Sequence, residues 1–185
     1  MGDEYRLNRL LMTFSCAQDE DIEYFLHNRA VEFDKVSKSR TYLIVDEDQM
    51  QHCTIDELTV FGYFTLAMKI LTVPESYSNR NRKNIDGFNA KINNVPIKDF
   101  PCYLIGQLSK NSNVPKESIS GSEIMEKALS VIKASAEMVG GRIVLIECRN
   151  KKELLKFYNS NGFSSLDKIP DGETQMIQMI RNIQS

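Results

Sequence analysis

The sequence predicts an α/β protein, a mixed sheet flanked by helices. Three observations carry that prediction. Helical apolar periodicity over residues 19–38 and 121–139 alternates with runs of β-branched and aromatic residues at 41–45, 59–71, 100–108 and 142–148. The stretch from 100 to 148 has strand–helix–strand order. The 185 residues, 42% hydrophobic and 26% charged, suit one compact domain over 1–185 and are too apolar for a disordered chain.

The first helix is expected over 19–38, where Ile22, Phe25, Leu26, Ala30, Phe33 and Val36 recur on one face. Asp19, Glu20, Asp21 and Glu23 crowd its start, where the helix dipole favours negative charge. Residues 41–45 and 59–71 read as an antiparallel strand pair separated by a polar stretch. From 73 to 99 the chain is polar and irregular, and structureless loops of that length are usually functional or mobile. A strand follows at 100–108. The second helix, 121–139, is expected to bury Ile124, Ala128, Val131, Ile132, Ser135 and Met138. Ser120 and Glu123 form a capping box at its start, and Gly140 and Gly141 supply the stop. A strand at 142–148 leads to a third helix marked by Asn150 and Glu153 and ended by Asn161 and Gly162. Weaker strands are expected at 163–166 and 174–180.

Composition excludes several functions. Lys plus Arg is 23 against 25 for Asp plus Glu, net −2, which argues against coating nucleic acid by bulk charge and leaves only a local patch. No run approaches the roughly 20 apolar residues of a membrane span, so no membrane partner is expected. The first residues lack a secretory pattern. Cys16, Cys53, Cys102 and Cys148 match no zinc or redox spacing and read as reduced thiols of a cytoplasmic protein. His27 and His52 offer a poor basis for a triad or a metal site.

The segment from Gln107 to Ser122 is chemically informative. A strand ends, a polar loop crosses over, and a capped helix begins with Gly121 in its first turn. Helix N-termini carry unpaired N–H groups and partial positive charge, so they bind phosphate. A plain crossover helix has the same pattern, and this loop holds one glycine where phosphate loops carry two or three.

Distant residues sharpen the reading. Phe157-Tyr-Asn-Ser-Asn-Gly-Phe163 resembles the F-Y-x-x-x-G-F signature near the end of GNAT acetyltransferases, the GCN5-related N-acetyltransferase superfamily. It follows Gly121-Ser-Glu-Ile-Met125 by a helix and a strand. Phe14-Ser-Cys16, Ser39-Arg-Thr-Tyr42, Phe61-Gly-Tyr-Phe-Thr-Leu-Ala67 and Leu104-Ile-Gly-Gln-Leu108 resemble, in order, a subgroup that includes the tRNA-acetylating toxins. The resemblance spans residues 14–181. It implies a single GNAT-like domain with a mostly antiparallel mixed sheet and a splayed cofactor cleft.

It also implies acetyl-CoA as cofactor, with coenzyme A as product. Pantetheine would pair with backbone at Leu108, Ser109 and Lys110, as an added strand does. The diphosphate would lie over residues 116–122, on Lys116, Ser120, Gly121 and Ser122. Tyr158 stands in the place of the tyrosine that protonates the departing thiolate, the one catalytic residue implied. Asn150 is either a helix cap or a cofactor contact. Two departures from the family pattern fall in the loop: Lys116 replaces a planar donor, and Ile119 stands at a glycine position. Direct attack of the amine on the thioester needs no nucleophilic side chain. Cys148 then reads as a structural thiol, and Glu147 either as a base acting through water or as a paired carboxylate.

The expected function is N-acetyl transfer from acetyl-CoA to a primary amine, borne by a small molecule or a macromolecule. The alternatives are a non-catalytic acyl-CoA-binding or interaction module and a toxin-like enzyme acetylating aminoacyl-tRNA. The local excess of Arg80, Arg82, Lys83, Lys91 and Lys98 could meet RNA phosphate, but a solvated loop is the commoner origin of such a run, so nucleic acid ranks below another amine. A homodimer is left open.

Overall fold

The computed structural model describes residues 2–167 and 176–183. In chain order it contains α1 (Gly2–Leu11), α2 (Glu20–Asn28), α3 (Ala30–Lys35), β1 (Arg40–Val45), α4 (Glu47–His52) and β2 (Val60–Thr72). Next come α5 (Asn79–Asp86), β3 (Lys91–Ile92), β4 (Val95–Pro96), β5 (Asp99–Lys110) and α6 (Gly121–Val139). The chain continues with β6 (Ile143–Arg149), α7 (Lys152–Ser160), β7 (Ser164–Ser165) and β8 (Met176–Asn182). A six-stranded sheet has the order β1-β2-β5-β6-β8-β7, and β3 with β4 forms a separate hairpin. Two compact units are distinguished, residues 1–67 with 105–130, and residues 68–104 with 131–185.

The first unit is built on α1, which the sequence reading passed over. Leu7, Leu10 and Leu11 share one face of α1, and Leu10, Leu11 and the following Phe14 are buried with Leu26, Ala30, Val60 and Tyr63. Full burial of such a side chain contributes about 1.5–3 kcal/mol. Phe14 meets Tyr63 edge to face at 5.0 Å, and the Tyr63 hydroxyl donates to Ile22 O at 2.6 Å. The expected helix over 19–38 is two helices, broken at Arg29 with φ −128°. The break leaves Leu26 and Ala30 both in the core while Phe25 and Phe33 stack edge to face at 5.5 Å. The polar stretch after β1 contains α4, capped by the Asp46 carboxylate accepting from Asp48 N at 3.0 Å. His52 closes that helix rather than lying in a loop. β1 and β2 pair antiparallel as expected, with an irregularity between Ile44 and Val45.

In the second unit Leu71, Val73, Ile85, Phe100, Cys102, Ile143 and Leu145 form the core. β6 and β8 pair antiparallel from Ile143 opposite Asn182 to Arg149 opposite Met176. Thr174 and Gln175, at the start of the last expected strand, lie outside the described residues. The helix expected over 121–139 has those limits. Ile124, Ala128 and Ile132 are buried as expected, but Met138 is exposed, and the buried methionine of α6 is Met125. Gly140 and Gly141 end it with φ of 82° and 116°, and a Cβ at Gly141 would meet the Tyr103 ring at 2.5 Å.

Residues 73–98 are ordered, contrary to expectation. Ser78 caps α5 by accepting from Asn81 N at 3.1 Å, and Gly87 ends it. Asn93 and Asn94, at φ 50° and 65°, turn the β3–β4 hairpin, a conformation that asparagine tolerates well. Arg82 is 1% exposed, and its guanidinium donates to Pro74 O at 2.8 Å, Glu75 O at 3.0 Å, Tyr77 O at 3.2 Å and Ile97 O. Lys98 pairs with Glu75. Two of the five cations that suggested a basic face therefore serve the segment's own fold.

Candidate functional site

Within the first unit the end of β5, the loop over 111–120 and the start of α6 come together around Gly62. A Cβ at Gly62 would lie 2.7 Å from Ile124 Cδ1 and 2.8 Å from Ser109 O. Only glycine admits both the strand end and the helix so close to β2. Its sequence signal is a glycine inside the apolar run 59–71, which marks a close backbone approach.

The loop is fastened by Asn111, 3% exposed. Its Nδ2 donates to Val60 O at 2.8 Å, and its Oδ1 accepts from Ser15 N at 3.0 Å and Asn113 N at 2.9 Å. Ser112 N donates to Ser15 O at 2.8 Å, and Ala17 N to Ser112 Oγ at 3.0 Å. The segment around Phe14-Ser-Cys16 thus clasps the loop. Cys16 Sγ also lies 3.3 Å from Ser109 Oγ. Lys110 turns back so that its Nζ donates to Lys116 O at 2.8 Å, which brings an ammonium onto the loop.

Ile119, the residue at the expected glycine position, is buried. Its side chain fills the interior and does not cover the outer face of the loop. The capping box is present: Ser120 N donates to Glu123 Oε2 at 2.7 Å, and Glu123 N to Ser120 Oγ at 3.2 Å. These bonds with Ser120 hold the Glu123 carboxyl below its ordinary value. The expectation that the Ser120 amide is free for diphosphate meets this carboxylate. Among the described residues no acceptor reaches the N–H groups of Gly121 and Ser122. Those two remain as anion donors at the positive end of a 19-residue helix.

In the second unit Tyr158 lies on α7, mostly buried, its ring 5.1 Å from Phe157 and 6.0 Å from Phe163, both edge to face. Its backbone carbonyl accepts from Phe163 N at 3.0 Å, so the F-Y-x-x-x-G-F run closes on itself across Gly162, where φ is 81°. Its hydroxyl makes no hydrogen bond among the described residues. Burial, with a contribution from neighbouring Cys148, pushes the phenol up to about 12. Cys148 is buried and its thiol is raised to about 11 by burial, which suits a structural thiol.

Glu147 is paired. Lys69 Nζ lies 2.5 Å from its Oε2, and Gln178 Nε2 donates to Oε1 at 2.9 Å. Burial raises its carboxyl, but the Lys69 and Gln178 bonds outweigh burial and leave it below the ordinary value, a poor base. The cap position of α7 is Lys151, one residue after Asn150, and Lys151 carries no side-chain bond. Among the described residues no group of three metal-ligating side chains occurs, and no helix is long and apolar enough to cross a membrane.

Solved structures match over nearly the whole chain. A tyrosine-to-phenylalanine mutant of KacT has a TM-score of 0.68 at 17% identity, covering 98% of this chain and 91% of that one. AtaTR bound with AcCoA has a TM-score of 0.68 at 21% identity, covering 94% and 87%. AtaT complexed with acetyl-methionyl-tRNAfMet has a TM-score of 0.63 at 20% identity, covering 90% and 85%. The fold is the GNAT fold. No family model matches the sequence, and no curated protein matches it. At these identities the likeness extends to the GNAT fold alone, and what individual residues do rests on their geometry.

Proposed function

We propose that this protein is a GNAT-type N-acetyltransferase that moves an acetyl group from acetyl-CoA to a primary amine, acting as one domain. The observation that carries the proposal is a GNAT fold in which the amides of Gly121 and Ser122 stay free at the start of a long helix, next to a strand end held by Gly62. The match to a structure bound with AcCoA supports the same reading. Bound acetyl-CoA supplies an activated thioester. Backbone at Leu108, Ser109 and Lys110 extends the sheet toward pantetheine, and Gly121 and Ser122 receive the diphosphate with the ammonium groups of Lys110 and Lys116 nearby. Glu123 keeps Ser120 out of that set and opposes the anion, so affinity is moderate rather than tight. Asn150 is a further candidate contact.

The amine nitrogen attacks the thioester carbonyl, the C–N bond forms, the C–S bond breaks, and the nitrogen loses one proton while the sulfur gains one. By the F-Y-x-x-x-G-F resemblance, Tyr158 would serve the sulfur. A phenol near 12 facing a thiol of ordinary pKa near 8.5 would lose roughly 5 kcal/mol on full transfer. Tyr158 therefore donates a hydrogen bond to charge developing on sulfur, and its proton moves only as the acidified nitrogen replaces it. A second reading puts the amine on an aminoacyl-tRNA, which the match to AtaT complexed with acetyl-methionyl-tRNAfMet favours. An antitoxin partner would accompany that reading, as the match to an AtaT mutant toxin bound to the C-terminus of the antitoxin AtaR suggests.

Calorimetry with acetyl-CoA tests the proposal: binding at or below about millimolar is expected, and none at that level removes it. Tyr158→Phe should lower turnover about 10²-fold with acetyl-CoA affinity unchanged. Because the phenol holds its proton far above neutrality, the parent-to-variant ratio should stay flat from about pH 6 to about pH 9. A ratio that collapses within that range would mean the phenol titrates there.

A further inference from the structure

Two buried hydroxyls in the first unit have no partner: Ser39 Oγ and Thr41 Oγ1. Ser39 is 9% exposed. Buried polar atoms are nearly always paired, so two orphans within three residues call for a reason. Thr41 lies opposite Thr65 in the β1–β2 register. Opposed residues share a face of the sheet, so Thr41 and Thr65 lie on the side where Tyr63, two residues from Thr65, reaches α2 through Ile22 O. Ser39, two residues before Thr41, falls on that side by alternation.

Thr65 is itself buried, and a Cβ at Gly106 would lie 3.1 Å from its Oγ1. Gly106 is exposed. Gly106 thus places no side chain over Thr65 on the hydroxyl-bearing face, two residues from Leu108 on the same strand, about 7 Å along it. The nearby charges are already engaged. Arg40 donates to Asp34 Oδ1 at 2.8 Å and to Ser37 Oγ at 3.2 Å, and Asp34 Oδ2 accepts from Thr41 N at 3.3 Å.

We propose that Ser39, Thr41 and Thr65 form the acceptor subsite, entered over Gly106, and that it takes a neutral primary amine next to an uncharged polar group. Hydroxyl oxygens accept N–H bonds from an amine and donate to a neighbouring carbonyl, and the Asp34 carboxylate beside them is held by Arg40 and Thr41 N. The proposal rests on the acetyltransferase reading above and names the partner of the same reaction. Its cost is stability, because each orphan hydroxyl is desolvated in the unliganded protein.

The test uses glycinamide as acceptor and the full chain. Ser39→Ala and Thr41→Val should each raise the KM for glycinamide about tenfold, the equivalent of one lost hydrogen bond, and leave acetyl-CoA affinity by calorimetry unchanged. Both should also raise the melting temperature. Gly106→Val should block the amine and spare acetyl-CoA binding. An unchanged amine KM in Ser39→Ala and Thr41→Val, or a fall in melting temperature showing that the hydroxyls hold a structural partner, overturns the proposal. If the parent fails to bind acetyl-CoA, the acetyltransferase reading falls by itself. Glycinamide-dependent shifts of the Thr41 and Thr65 methyl resonances, absent in Gly106→Val, then still support the subsite, and their absence in the parent overturns it.

Discussion

Residues 73–98 and residues 111–120 look alike in the sequence: both are polar, both carry lysines, and both separate a strand from the next long element. Each is fastened by one buried polar side chain that bonds to backbone, Arg82 in the first and Asn111 in the second. The outcomes differ. Arg82 spends its guanidinium on four carbonyls, so a residue that reads as a surface cation on paper offers no exposed N–H to a ligand. Asn111 is neutral and binds the loop to β2 and to Ser15, and two amides of the following helix stay available. A charged anchor consumed by its own fold makes a scaffold, whereas a neutral anchor ahead of a helix start makes a receptive site.

The largest effect that could break this comparison is on stability. Arg82→Ala should cost about 3–5 kcal/mol in chemical denaturation, since four part-buried carbonyls lose their donor at about 1–3 kcal/mol each and recover part of that from water. A loss under about 1 kcal/mol would show that Arg82 is no anchor. Asn111→Ala should cost less, about 1–3 kcal/mol, and should also weaken acetyl-CoA binding because the loop loses its tie to β2. Equal stability loss with unchanged cofactor affinity would separate the loop from the site.

A finer distinction lies inside the second segment. Gly121→Val should weaken coenzyme A binding about tenfold or more, since a β-branched residue crowds the amides and stiffens the first turn. Lys116→Ala should change it by about 1 kcal/mol or less, as expected of one exposed charge. Dephospho-pantetheine, which lacks the diphosphate, should bind both variants as it binds the parent. A Gly121→Val variant with normal coenzyme A affinity would move the diphosphate elsewhere.

Much of the GNAT fold was legible because its signals are local. The limits of α6, its capping box and its glycine stop follow from Ser120, Glu123, Gly140 and Gly141, whose bonds reach only a few residues along the chain. The run from Phe157 to Phe163 is legible for the same reason, closed by Phe163 N on Tyr158 O. Short amphipathic pieces were harder: α1 offers one buried face over ten residues, and α4 buries nothing at all.

What only the tertiary structure decided is where each polar group ends up. Sequence determines that Arg82 is a cation, that Ile119 is apolar and that Gly62 lacks a side chain. Tertiary packing decides that the cation is buried on carbonyls, that Ile119 points inward and leaves the loop face open, and that Gly62 admits Ser109 and Ile124 together. It also leaves the hydroxyls of Ser39 and Thr41 without partners. The physical reason is that propensity and capping act over three or four residues, whereas desolvation of a charge or a hydroxyl depends on neighbours brought in from distant parts of the chain.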